Sequence, residues 1–294
     1  MAFNLQTFKT RALTAVIFVV IMLAGLLWNH WSFFILFSVI HFGCWLEYQK
    51  LVGLIDPEYQ QITPLHKYGI MVAGWAFMLF MTGDGFSFNN IPLYKIGRLL
   101  LLVSGVVLPL FLIIFKKTFS VRPLLYSMAG LLYISLSWGL MMNIRSMGMT
   151  TIGSFVSEDK GWIFPVVLIA SIWINDTMAY IVGSFIGKTP FSKISPKKTW
   201  EGTTGGAILC VAAVSLGGYY LFHLNITSLI AISSIAAVIG TTGDLLESKL
   251  KRMAGVKDSG QIMPGHGGFL DRFDSLILAT PFVWLYLVLF AQNV

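Results

Sequence analysis

Asp271 and Asp274 stand three residues apart at the start of an apolar run, so a helix there presents both carboxylates on one face. A third acid, Asp244, lies near the end of the preceding apolar run, and the connection that follows carries Ser248-Lys249-Leu250-Lys251-Arg252 and Lys257-Asp258. Carboxylates gathered beside cations suit a hard divalent ion that bridges a polyphosphate. Mg²⁺ takes oxygen ligands, keeps several waters, and commonly shares its shell between one or two carboxylates and substrate phosphates. Acids in apolar helices are costly and by default mark function. The plainer reading is that Asp271 and Arg272 only pair with charges at a helix end. The cluster as a whole favours a Mg²⁺ site built from Asp244, Asp271 and Asp274.

Two further blocks extend the candidate site. Pro264-Gly265-His266-Gly267-Gly268 precedes Asp271. Glycines there let the backbone approach a phosphate, and N–H groups can cradle an anion, although a tight turn would carry the same residues. His266 either donates a hydrogen bond or shapes the loop. Upstream, Ser195-Pro196 predicts an N-cap and first helical residue. That places Lys197 and Lys198 in a first turn where the helix dipole disfavours cations, which makes sense if an anion sits on the helix N-terminus. Lys188 and Lys193 are read as ordinary loop residues. Asp176 opens a stripe with Ala179, Tyr180, Gly183 and Gly187. Its glycines mean close helix packing, and Asp176 is kept as a supporting residue. His41 is read as a packed core histidine.

The elements that position these residues must be membrane helices. The 294-residue chain is 56% hydrophobic and 11% charged, with mean hydropathy +0.77, where a soluble domain carries roughly 25% charged residues. Cys44 and Cys210 both lie in apolar runs, with neither metal-ligand spacing nor a disulfide framework. Lys9 and Arg11 precede an apolar stretch that resembles a signal sequence, but it ends without small residues at a cleavage site, so a retained first span is expected. Runs of about 17–25 apolar residues predict nine spans: 12–28, 31–46, 68–82, 97–115, 123–143, 161–187, 202–222, 226–247 and 270–292. Sixteen of the 20 Lys and Arg residues then fall on one side. The positive-inside rule puts that side, with the N-terminus, in the cytoplasm and the C-terminus outside. The expected fold is therefore an all-α polytopic integral membrane protein. Residues 1–150 hold five spans without a catalytic motif, and 151–294 hold four spans and a site at the cytoplasmic face. The basic loops are explained by anionic lipid headgroups, and nucleic acid is not an expected partner.

The run from Ser248 to Asp274 closely resembles the signature of the CDP-diacylglycerol synthases, also called phosphatidate cytidylyltransferases. That signature reads Ser-x-aliphatic-Lys-Arg, four residues, Lys-Asp, then Pro-x-His-Gly-Gly and Asp-Arg-x-Asp. It is filled here by Ser248, Lys251, Arg252, Lys257, Asp258, Pro264, His266, Gly267, Gly268, Asp271, Arg272 and Asp274. Met263 departs from the expected Leu, Ile or Phe but stays apolar. The 195–202 block and the 176–187 stripe also look like that family's upstream motifs, so the resemblance spans residues 170–275.

The resemblance implies condensation of CTP with phosphatidic acid to CDP-diacylglycerol and pyrophosphate within the lipid bilayer. It implies Mg²⁺ on Asp244, Asp271 and Asp274, with room for a second cation, and Lys257 as a further catalytic residue. Ser195, Lys197, Lys198, Lys251, Arg252, His266, Gly267, Gly268 and Arg272 are the expected substrate contacts, and a homodimer is a further expectation. Two alternatives stay open. A CTP-dependent lipid kinase of the polyprenol type would release CDP. A transporter would usually carry acids near mid-membrane and paired broken helices, whereas these acids cluster at one face. A CDP-alcohol phosphotransferase is disfavoured, because no Asp-x-x-Asp-Gly start followed by Ala-Arg is present.

Overall fold

A computed structural model of the chain describes residues 5–107, 120–152, 155–261 and 267–291. In chain order the helices are α1 (Leu5–Leu27), α2 (His30–Ile55), α3 (Pro57–Gln60), α4 (Pro64–Phe80), α5 (Leu93–Leu102), α6 (Val121–Met147), α7 (Ile163–Ile186), α8 (Trp200–Phe222), α9 (Ile226–Met253) and α10 (Leu270–Phe290). Six of them, α2 and α6 to α10, are long and apolar enough to cross a membrane among the described residues. The chain is thus mostly helical and multi-pass. The all-α expectation is amended by two short antiparallel hairpins, β1 (Ser87–Phe88) with β2 (Ile91–Pro92), and β3 (Met149–Ile152) with β4 (Phe155–Asp159).

Local sequence explains where these helices start. Asn29 and Ser32 form a capping box at α2: Ser32 N donates to Asn29 Oδ1 at 2.8 Å and Asn29 N to Ser32 Oγ at 3.1 Å. Thr63 caps α4, with proline as the first helical residue. Three of the boundaries that differ from the sequence expectation bear on the site. α2 runs to Ile55, beyond the predicted end at 46. α9 runs to Met253, which brings Ser248, Lys249, Lys251 and Arg252 into the helix instead of a polar loop. α8 begins at Trp200, not at Ser195-Pro196, and its cap is Thr199, whose Oγ1 accepts from Gly202 N at 3.1 Å. Ser195–Lys198 instead form a turn, closed by Lys198 N donating to Ser195 O at 3.1 Å, with Pro196 at the position that favours it.

The chain divides into two compact units, Met1–Trp162 with Met253–Arg272, and Ile163–Arg252 with Phe273–Val294. In the first, aromatic residues of α2 and α6 fill the core: Phe33, Phe37, Trp45 and Trp138 are all buried. A π-type turn at Leu131–Ser135 of α6 places the Ser135 hydroxyl 3.1 Å from His41 Nε2 and within reach of Trp45 Nε1, which donates at 2.9 Å. His41 is the core histidine that its apolar setting suggests.

Arg145, also buried, leaves α6 as a fork onto the Asp159 carboxylate of β4, donating from Nη2 to Oδ2 at 2.6 Å and from Nη1 to Oδ1. Burial alone would raise the Asp159 carboxyl. The Arg145 hydrogen bonds and charge, the Gly161 N–H and His30 together outweigh it and hold the group below the usual carboxylate range.

In the second unit α7 and α8 pack backbone to backbone. A Cβ on Gly202 would lie 2.8 Å from Ala179 O, and one on Gly206 would lie 2.6 Å from Ala179 N. The same Gly202 Cβ would lie 2.8 Å from Gly183 Cα, so Gly183 of the stripe serves close packing against α8. Cys210 donates to Ser171 O at 3.1 Å, and it and Cys44 are buried thiols that form no disulfide.

Candidate active site

Helix geometry within the second unit brings three carboxylates together. Asp244 and Glu247 lie one turn apart on α9, Asp274 comes from α10, and one oxygen of each lies within 4.8 Å of the others. Glu247 is fully buried and Asp274 nearly so. Their counter-charges are lysines. Lys251, four residues on from Glu247, pairs with it at 2.5 Å, and Lys198 from the turn before α8 pairs with Asp244. Three hard oxygen donors from two rigid helices fit a divalent cation of the Mg²⁺ kind.

Glu247 was not singled out from the sequence. Its signal lay in the spacing Asp244-Glu247-Lys251, a single helical face once α9 is allowed to run to Met253. Lys197 and Lys198 precede α8, and its first turn carries Glu201, as stability favours. Glu201 accepts from Lys188 N, Thr189 N and Thr189 Oγ1. Lys197 and Lys198 therefore do not occupy the first helical turn that the sequence predicts for them, because Thr199 outcompetes Ser195 as the cap. Lys197 is exposed beside the half-buried Ser195, and Asp176 is exposed on α7.

Asp271 belongs to the first unit and does different work there. Its Oδ2 accepts from Ser259 N at 2.9 Å, Ser259 Oγ at 2.9 Å and Gly268 N at 2.7 Å. Gly267 has φ +83, a backbone conformation that favours glycine. The next two amides, Phe269 N and Leu270 N, donate to Glu47 of α2. The sequence predicts a phosphate cradle for the glycine loop, yet these amides point at the chain's own carboxylates. Lys257, Asp258, Arg252 and Arg272 are exposed. His266, with Met263 and Pro264, lies outside the described residues.

These features define a multi-pass membrane protein with a carboxylate and lysine centre between helices of its second unit. The chain matches the sequence model of the cytidylyltransferase family over residues 9–290, and it belongs to that family. It is similar to a phosphatidate cytidylyltransferase of Synechocystis sp., 43% identical over 131 residues, which is 44% of either chain. A phosphatidate cytidylyltransferase of Staphylococcus aureus is 37% identical over 151 residues, 50% of this chain and 58% of the relative. One of Bacillus subtilis is 33% identical over 224 residues, 74% of this chain and 76% of the relative. The first two matches span about half the length of those relatives. The resemblance of the 248–274 signature to the CDP-diacylglycerol synthases is borne out at the level of the family.

Proposed function

We propose that the chain condenses CTP with phosphatidic acid to CDP-diacylglycerol and releases pyrophosphate. The observation that most supports this reading is the Asp244, Glu247 and Asp274 group with Lys198 and Lys251 paired against it. A phosphate oxygen of phosphatidate attacks the α-phosphorus of CTP. The bond from that phosphorus to the bridging oxygen breaks, and the electron pair leaves with pyrophosphate. The attacking phosphate is already ionised, so no general base is required, and the protein's task is positioning and charge neutralisation. Asp244 and Asp274, with Glu247 beside them, would hold Mg²⁺, which when bound screens the triphosphate and stabilises the leaving pyrophosphate. The ligand role of Asp271 rests on the family motif alone.

Lys198 and Lys197 bind phosphate oxygens in this scheme. Lys198 exchanges its Asp244 partner for substrate once the carboxylate is otherwise neutralised. Lys257, Arg252 and Arg272 supply exposed positive charge for the same anions. The site is proposed to face the cytoplasm in a nine-span topology, since sixteen of the 20 basic residues fall on that side.

The deciding experiment gives purified protein CTP labelled at the α-phosphate, Mg²⁺ and phosphatidate in mixed micelles. Label should appear in a lipid-linked nucleotide, vanish with EDTA and return with Mg²⁺. Asp274→Asn should abolish it in folded protein. Label released as CDP would replace this reading with a lipid kinase.

A further inference from the structure

The residues assigned so far come from the C-terminal half of the chain, and Glu47 does not. It stands on α2, half-buried, two turns before the helix ends at Ile55. The segment that precedes α10 encloses its carboxylate. Oε1 accepts from Phe269 N at 2.8 Å, and Oε2 accepts from Leu270 N at 2.9 Å and Ser259 Oγ at 2.7 Å. A Cβ on Gly260 or on Gly268 would overlap this carboxylate, and one on Gly43, a turn earlier on α2, would overlap the Phe269 ring. The loop is thus moulded to α2 by close approach as well as by hydrogen bonds. Ser259 is the hinge of the arrangement. Its buried hydroxyl stands between Glu47 Oε2 and Asp271 Oδ2, with one proton to donate to the two of them.

We propose that Glu47 is a positioning residue for the family's signature loop. It fixes Ser259–Gly260 and Gly268–Leu270 against α2, and through Ser259 it sets the orientation of Asp271. A mere helix cap would need only a negative charge near the amides of Phe269 and Leu270. That leaves unexplained the shared serine and the two glycines whose positions exclude a side chain. Carboxylates one step behind an active residue hold its orientation, and losing such a partner typically lowers activity or metal affinity about 10–100-fold.

The test uses the full-length protein in detergent and three variants, Glu47→Gln, Glu47→Asp and Gly260→Ala. The activity arm rests on the cytidylyl transfer proposed above, whereas hydrogen exchange over residues 255–275 does not. Glu47→Gln sets an NH₂ group against backbone donors, so kcat should fall about 10–100-fold while KM for CTP changes little. Exchange should rise across 259–271 and stay unchanged elsewhere in the first unit. Glu47→Asp keeps the charge on a shorter arm and should recover part of both signals. Should Glu47→Gln fail to fold, Gly260→Ala carries the test, because it displaces the carboxylate without removing it and should give the same local pattern. Wild-type kcat with unchanged exchange in Glu47→Gln, or in Gly260→Ala if it alone folds, would overturn the proposal. So would a loss of protection spread evenly over the first unit with kcat restored by cooling, which is the signature of a fold-stability role alone. If the wild type transfers no cytidylyl group, the activity proposal falls and the exchange pattern still decides whether Glu47 holds the loop.

Discussion

Glu247 has no exposed surface, and its counter-charge is Lys251 one turn further along α9. Removing one member of a buried pair leaves an uncompensated charge and costs about 3–5 kcal/mol, whereas replacing both with apolar residues of similar size is often neutral. Lys251→Met should therefore destabilise the protein by that amount in thermal melts, and Glu247→Met added to it should restore most of the loss. Turnover should be absent from both. A second electrostatic expectation concerns the Arg145–Asp159 fork. A carboxyl held below its ordinary range contributes stability that is present above its unfolded pKa and lost as pH falls through the lower folded value. The melting temperature should fall as the medium is acidified below about pH 4. Asp159→Asn should lower stability at neutral pH and flatten that acid limb. An identical acid limb in the variant would remove Asp159 from the account.

At the scale of elements, hydropathy located the long helices but not their ends, and the ends decided which residues entered the site. Stopping the second span at 46 put Glu47 just outside it, where an acid is unremarkable. With α2 carried to Ile55, the same residue lies inside an apolar helix and becomes a candidate for function. The charges at Lys249, Lys251 and Arg252 resembled a loop and hid Glu247. Near α8, two capping signals competed within five residues, and the proline behind Ser195 favoured the wrong one. That competition is measurable. Thr199→Ala should cost about 1 kcal/mol of stability, while Ser195→Ala should leave the melting temperature unchanged. The reverse result would restore the helix start to Ser195. The π-type turn at Leu131–Ser135 had no signal in composition or periodicity, because it arises where Ser135 meets His41 and Trp45.

At the scale of the whole molecule, the signature motif made family and centre legible, since Asp244 and Asp274 do meet. The motif could not reveal that its two halves serve different units. The segment Met253–Arg272 packs with the N-terminal helices, and Phe273 onward rejoins the second unit. Contacts of that kind join residues more than 200 positions apart, beyond the reach of any local pattern. Topology remains the coarsest test at this scale. A reporter fused after Val294 should lie outside the cytoplasm and one inserted near Pro57 inside it. Both reporters on one side would refute nine spans.

The Glu47 cradle also imposes an order on synthesis. Its donors lie 212 to 223 residues downstream in the chain. At about 5–20 residues per second, translation delivers them about 11–45 s after Glu47 itself. Through that interval α2 must wait at the membrane with a carboxylate whose amides have not yet been made. The first unit is completed only when the nascent chain has passed residue 270, after most of the second unit has left the ribosome. A chain interrupted before the signature loop would therefore lack more than its catalytic centre. It would also carry an unsheltered acid in an apolar helix, the kind of lesion by which membrane quality control can recognise an unfinished protein.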